Sequence, residues 1–170
     1  FRGNNIDNLD GEIKLLNSNF IKYNKNLELN DFSIRTYTDY NKPVLSLRTD
    51  FADADIRGYY SFAAMAGLIK STLATLMPSQ FTVPVKRNEL RKNNFTFEIN
   101  FKNTDKINNF FRTGLLLADK SYINGAIFPD SIISIRGKAK LLNIKNNVFK
   151  DFSLDANMAG SELSFDLKSS

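Results

Sequence analysis

The stretch NFTFEINFK, residues 94–102, decides the fold class. Phe95, Phe97, Ile99 and Phe101 fall on one side of an extended chain, and Thr96, Glu98, Asn100 and Lys102 on the other. A period of two with one dry and one wet side marks an antiparallel strand covered on a single face. The rhythm recurs upstream as Ile13/Leu15, Leu27/Leu29, Leu45/Leu47 and Ile56/Gly58/Tyr60. These pairs predict strands over Gly11–Asn17, Asn19–Tyr23, Leu27–Tyr37, Val44–Thr49 and Ala54–Tyr60. Strand text returns from Ile123, anchored by Ile132/Ile135, Ala139/Leu141, Phe149, Phe152/Leu154 and Leu163/Phe165/Leu167. The chain holds 21 Asn and 15 Phe, so turn formers alternate with strand formers.

Between the strands the period lengthens. Ser61–Met77 puts Phe62, Met65, Ile69, Leu73 and Leu76 at helical spacing, with Ser61 able to cap the start and Pro78 ending the run. Lys70 is the one charge in it, so this helix is expected to be covered on more than one side. Asp105–Leu117, with Ile107, Phe110, Phe111 and Leu115, predicts a second and shorter helix.

Composition narrows the function. The 170 residues suit one domain or two small repeats, and no apolar run reaches the ~18 residues of a membrane helix. The chain has no Cys, His or Trp, which removes disulfides, Cys and His zinc sites, Cys nucleophiles and His-based triads. Phosphate loops, nucleophile elbows and dinucleotide fingerprints are absent from the sequence. The acid pairs Asp151/Asp155 and Glu162/Asp166 read as strand residues facing water. Asp50, Asp53 and Asp55 lack the glycine and terminal Glu of a calcium loop and read as turn chemistry. The triplet Asn94-Phe95-Thr96 sits inside a strand, an awkward place for a glycan. Catalysis, a metal and a cofactor are therefore not expected. The net charge of +5 is spread along the chain, too diffuse for a nucleic-acid footprint. Its densest patch is Lys86, Arg87, Arg91 and Lys92, either a solvated loop or a contact for anionic headgroups. Phe1 is not an initiator Met, and the chain is expected to be a mature or trimmed piece of a longer one.

An internal echo suggests a period. Residues 11–17, GEIKLLN, reappear as GKAKLLN at 137–143, and NDFSI at 30–34 as KDFSL at 150–154. Both copies run on to an alternating strand, Leu45/Leu47 in the first and Leu163/Phe165 in the second. The implied division is a repeat unit over 1–126, including both helices, and the start of the next over 127–170, within one continuous body. A β unit that recurs end to end belongs to an array rather than a closed globule.

The segment LELNDFSIRTYTDYNKPVLSLRTDFADADIRGYYSF, running into a helix, resembles the repeat unit of TamB proteins in the AsmA-like superfamily. The step GKAKLLNIKNNVFKDFSLDA is similar to the same unit entered again. The likeness spans about three quarters of the chain, excludes 81–93, and rests on strand-turn rhythm rather than invariant letters. It implies a mainly β fold: a strongly curved antiparallel sheet open along one side, a taco or half-pipe groove, with the helices packed at the opening. It also implies a periplasmic section of an inner-membrane-anchored protein, carrying phospholipid toward the outer membrane and supporting outer-membrane protein assembly.

On that basis the groove is expected to be lined by Leu45, Leu47, Phe95, Phe97, Ile99, Phe101, Leu141, Leu163 and Phe165, with Ser61–Met77 as lid. The same residues equally suit a closed core. The competing functions are a surface or periplasmic β-module that binds sugar or protein, and a small outer-membrane barrel. The helix breaking the strand series and the missing aromatic girdles weigh against the barrel. Open sheet edges are expected to promote self-association.

Overall fold

The computed structural model describes residues 10–22, 24–61, 94–128, 132–144, 147–159 and 162–170. The strands are β1 (Gly11–Lys22), β2 (Lys25–Asp39), β3 (Lys42–Thr49), β4 (Ala52–Tyr59), β5 (Asn94–Phe101), β6 (Leu115–Leu117), β7 (Tyr122–Phe128), β8 (Ile132–Ile144), β9 (Asn147–Ala159) and β10 (Glu162–Lys168). One helix, α1 (Asp105–Phe111), lies between β5 and β6. All ten strands join one antiparallel sheet in the order β1-β2-β3-β4-β5-β7-β8-β9-β10, with β6 beside β8. Among the described residues the sheet does not close, so β1 and β10 are its two margins. The mainly β, antiparallel class expected from the alternation is what the chain adopts. The boundary expected at 126/127 falls within β7, and the sheet continues through it.

Short turns set the register. Asp39 faces Lys42 across a two-residue loop in which Tyr40 and Asn41 both have positive φ, 45° and 59°. Such a loop twists in the same sense as its strands. At the next turn Thr49 Oγ1 donates to the Ala52 carbonyl at 2.7 Å and accepts from the Phe51 and Ala52 amides. Gly58 has φ +118°, and a Cβ there would lie 2.2 Å from the Asn94 carbonyl oxygen. Only glycine permits that approach of β4 to β5.

The predicted helix over Asp105–Leu117 is shorter than its apolar stripe suggests. It stops at Phe111, with Arg112 left-handed at φ 54°, Gly114 at φ 67°, and Leu115–Leu117 drawn into β6 opposite Leu142–Ile144. Backbone pairing with β8 outcompetes continued helix for a segment already broken by Thr113-Gly114. Likewise Gly11–Asn17 and Asn19–Tyr23 are not separate strands: β1 passes through Asn17, left-handed at φ 47°, without losing register with β2. The expected helix over Ser61–Met77 lies outside the described residues.

The two echoed segments occupy corresponding hairpins, β1–β2 and β8–β9. Leu15 faces Phe32 as Ala139 faces Phe152, and Ser18 faces Leu29 as Leu142 faces Phe149. In each hairpin the inward positions step by three here instead of two, 15 to 18 and 139 to 142. A left-handed residue marks the step in both, Asn17 in β1 and Asp151, φ 45°, in β9. Beyond that level each hairpin projects past its neighbours, and α1 and β6 sit between the projections, α1 against β2.

Candidate functional site

Cross-strand partners share a face, so the registers sort the side chains of the whole sheet. One face reads Ile13 and Leu15 on β1, Phe32 and Ile34 on β2, Leu45 and Leu47 on β3, and Ala52, Ala54 and Ile56 on β4. It continues through Phe95, Phe97, Ile99 and Phe101 on β5, Ile123, Gly125 and Ile127 on β7, and Ile133 and Ile135 on β8. It ends on Leu154, Ala156 and Met158 of β9 and on Phe165 and Leu167 of β10. No charged residue stands in these rows. Thr36 and Thr49 are their polar members, buried and hydrogen-bonded to Gly11 and Ala52 carbonyls.

The opposite face holds the ion pairs. Arg48 meets Asp55 at 2.8 Å, Arg57 meets Asp39 at 2.8 Å, Lys102 meets Asp53 at 2.7 Å and Arg136 meets Asp155 at 3.2 Å. Lys168 reaches Asp166 on its own strand at 2.7 Å. Arg35 stacks over the Tyr37 ring at 5.0 Å. Burial works to raise the Asp55 carboxyl, but hydrogen bonds from the Arg48 guanidinium and the Ser46 hydroxyl outweigh it and hold it below the usual carboxylate range. The bond to Asp55 in turn holds Arg48 protonated above its ordinary value. Asp50 is engaged differently: its carboxylate accepts from the Asn30 and Asp31 amides at 2.7 and 3.1 Å. Of the three aspartates suggestive of a cation, Asp50 thus serves backbone amides of β2, and Asp53 and Asp55 serve the separate cations Lys102 and Arg48.

The apolar face is dry at its centre and open at its margins. Leu45, Phe95 and Ile127 are 4 %, 2 % and 1 % exposed and pack with Ile56 as one cluster, flanked by Phe97 and Ile133. Phe97 leans over Gly125, where a Cβ would stand 2.8 Å from its ring. That glycine gives the ring room to lie along the sheet instead of standing off it. Leu47, Ile99 and Phe101 are half-buried. At the margins Ile13, Phe165 and Leu167 are 41 %, 46 % and 42 % exposed.

Seven of the nine residues expected to line a groove therefore share this face: Leu45, Leu47, Phe95, Phe97, Ile99, Phe101 and Phe165. Leu163 falls opposite Met158 in β10, but its side chain lies outside the described residues. Leu141 departs from the row. The echo aligns it with Leu15, yet the pairing puts Ala139 at Leu15's level and Leu141 at that of Asn17, where the alternation steps; Leu141 is exposed and Leu142 buried. The expected lid residues Phe62, Met65, Ile69, Leu73 and Leu76 lie outside the described residues. So do Lys86, Arg87, Arg91 and Lys92.

Two features go beyond the groove residues expected from the sequence. Ile123, Ile127, Ile133 and Ile135 extend the apolar face, a contribution signalled by their own odd-numbered alternation. A polar cleft of about 480 Å³ opens at the step in β2, lined by Leu29, Asn30, Asp31, Thr49, Asp50, Phe51, Lys102, Asn103 and Lys106. Lys102 is already committed there to the Thr49 carbonyl and to Asp53. Comparison with protein families, with curated proteins and with solved structures finds no match.

Proposed function

We propose that this chain is a section of a lipid-shielding β-groove of the TamB or AsmA-like kind. In this reading the sheet curves into a half-pipe open along one side, its apolar face covers acyl chains, and headgroups stay in water along the rim. It acts in the periplasm as part of an inner-membrane-anchored protein, in phospholipid transport between the two membranes and in outer-membrane assembly. Leu45, Leu47, Phe95, Phe97, Ile99, Phe101 and Phe165 line the trough, the Ser61–Met77 segment is its lid, and Lys86, Arg87, Arg91 and Lys92 attract headgroups. The mechanism is passive and requires no catalytic group, since moving each CH₂ out of water contributes ~0.8 kcal/mol without a specific partner.

One observation carries this reading: an apolar face uninterrupted by charge from β1 to β10, with both margins open and the ion pairs on the other side. Where that face is exposed, at Ile13, Phe165 and Leu167, an apolar occupant would cover it. The burial of Leu45, Phe95 and Ile127 favours a second reading, a packed surface or periplasmic β-module that binds sugar or protein.

Native mass spectrometry of the detergent-free chain, with lipid identification after organic extraction, separates the two. Near-stoichiometric phospholipid that is lost in Phe97→Glu, with the circular dichroism unchanged, is the expected result. A lipid-free mass and no uptake of fluorescent phospholipid would replace the groove with the packed module.

A further inference from the structure

The free margin β10 has a sequence that is its own antiparallel complement. Its seven residues, ELSFDLK, pair with β9 on one side and with no strand on the other among the described residues. A second copy turned about a two-fold axis through Phe165, perpendicular to the sheet, faces the first with matched chemistry at every position. Glu162 falls opposite Lys168, Leu163 opposite Leu167, Ser164 opposite Asp166, and Phe165 opposite itself. Symmetry repeats each unlike pair, so two opposite-charge pairs and two hydroxyl–carboxylate pairs form per dimer. Opposite charges and matched apolar residues placed directly across a ladder stabilise it, whereas like charges there oppose it.

The orientation is equally constrained. Strand directions alternate along the sheet, so β1 and β10, first and last of nine strands in the path, run the same way. Joining β10 to β1 of another copy with both apolar faces on one side makes a parallel pair, whereas β10 against β10 is antiparallel and keeps the faces together. The groups that must rearrange are accessible: Lys168 and Asp166, now paired along their own strand, are 73 % and 58 % exposed. An exposed pair of that kind costs little to exchange for another. From this self-complementarity we infer that the chain forms a two-fold dimer through β10, joining two apolar faces into one sheet. The inference rests on the β10 margin and not on lipid carriage; the dimer forms whether or not the apolar face holds acyl chains.

Sedimentation equilibrium tests it with three charge variants. The parent chain is expected to show a monomer–dimer equilibrium. Lys168→Glu and Glu162→Lys each set like charges across the axis twice, and each should weaken the dimer about tenfold. The double variant Glu162→Lys/Lys168→Glu restores both pairs and should dimerise like the parent. An equimolar mixture of the two single variants should form a heterodimer tighter than either alone. Because the chain has no cysteine, Phe165→Cys offers an independent readout. It is expected to oxidise to a covalent dimer, since residues opposite each other stand within disulfide reach, while Ile13→Cys at the other margin is not. A parent that stays monomeric, a dimer indifferent to the charge variants, or cross-linking through Ile13→Cys in place of Phe165→Cys would each overturn it.

Discussion

Truncating Phe95 to alanine tests whether the centre of the apolar face is a packed core. Phe95 is 2 % exposed, touches the cluster formed by Leu45, Ile56 and Ile127, and lies 6.2 Å from the Phe97 ring centroid at an interplanar angle of 53°. Returning a fully buried phenyl group to water forfeits ~2 kcal/mol of transfer free energy. The tilted ring pair adds ~1 kcal/mol, and the void left beside Leu45, Ile56 and Ile127 adds more. Together these give ~3–5 kcal/mol for Phe95→Ala, the usual span for such a truncation. With a urea slope near ~2 kcal/mol/M, the unfolding midpoint should fall by roughly 2 M. The control is Ile13→Ala on β1, 41 % exposed and away from the inferred dimer seam, whose loss should shift the midpoint by less than about 0.5 M. Equal, small shifts for the two variants would refute the packed centre and would mean that the whole face is an open wall.

Two further outcomes concern the polar face and a turn. The folded-state pKa of Asp55 lies below its ordinary value, so its contribution to stability is fully present above about pH 4 and is lost as pH falls through the depressed value; Asp55→Asn should flatten that part of the acid unfolding curve, and an unchanged curve would show that the Arg48 pair contributes nothing. Tyr40 is 95 % exposed yet held at φ 45°, a conformation in which asparagine or glycine is more comfortable, so Tyr40→Asn should raise the urea-derived stability by up to ~1 kcal/mol, and a loss would mean the tyrosine makes contacts that offset its backbone strain.

What the sequence made legible was the period, and the period is a local property. Phe95 to Phe101 lie on the same face because each carries its side chain two residues from the next, and cross-strand register transmits that sorting from strand to strand without further information. The ends of elements were less legible, since they depend on partners far along the chain. Leu115–Leu117 reads as helix until β8 is available to pair with it, and Asn17 reads as a turn until β2 continues straight past it. Leu141 shows the same limit at a single residue. Its letters match Leu15, but the hairpin register displaces the match by two, and the stepped alternation leaves it exposed instead of buried.

The step itself is the reason to take the echo as more than similar wording. Two hairpins separated by five strands need not break their alternation at all, yet both break it after the residue opposite a phenylalanine, Leu15 with Phe32 and Ala139 with Phe152. The likeness then extends one strand beyond. Leu45 and Leu47 stand opposite Thr36 and Ile34 as Phe165 and Leu167 stand opposite Ala156 and Leu154. Letter matching had placed Leu163 and Phe165 at those levels, so the correspondence emerges from backbone pairing and not from the text that suggested it. On this alignment β10 occupies the position of β3, and its free side is the equivalent of the side on which β3 takes β4. Arg48, which meets Asp55 across that ladder, has Lys168 as its counterpart. A basic residue at the same level on both strands fits the inferred dimer, in which Glu162 of a second copy would stand opposite Lys168.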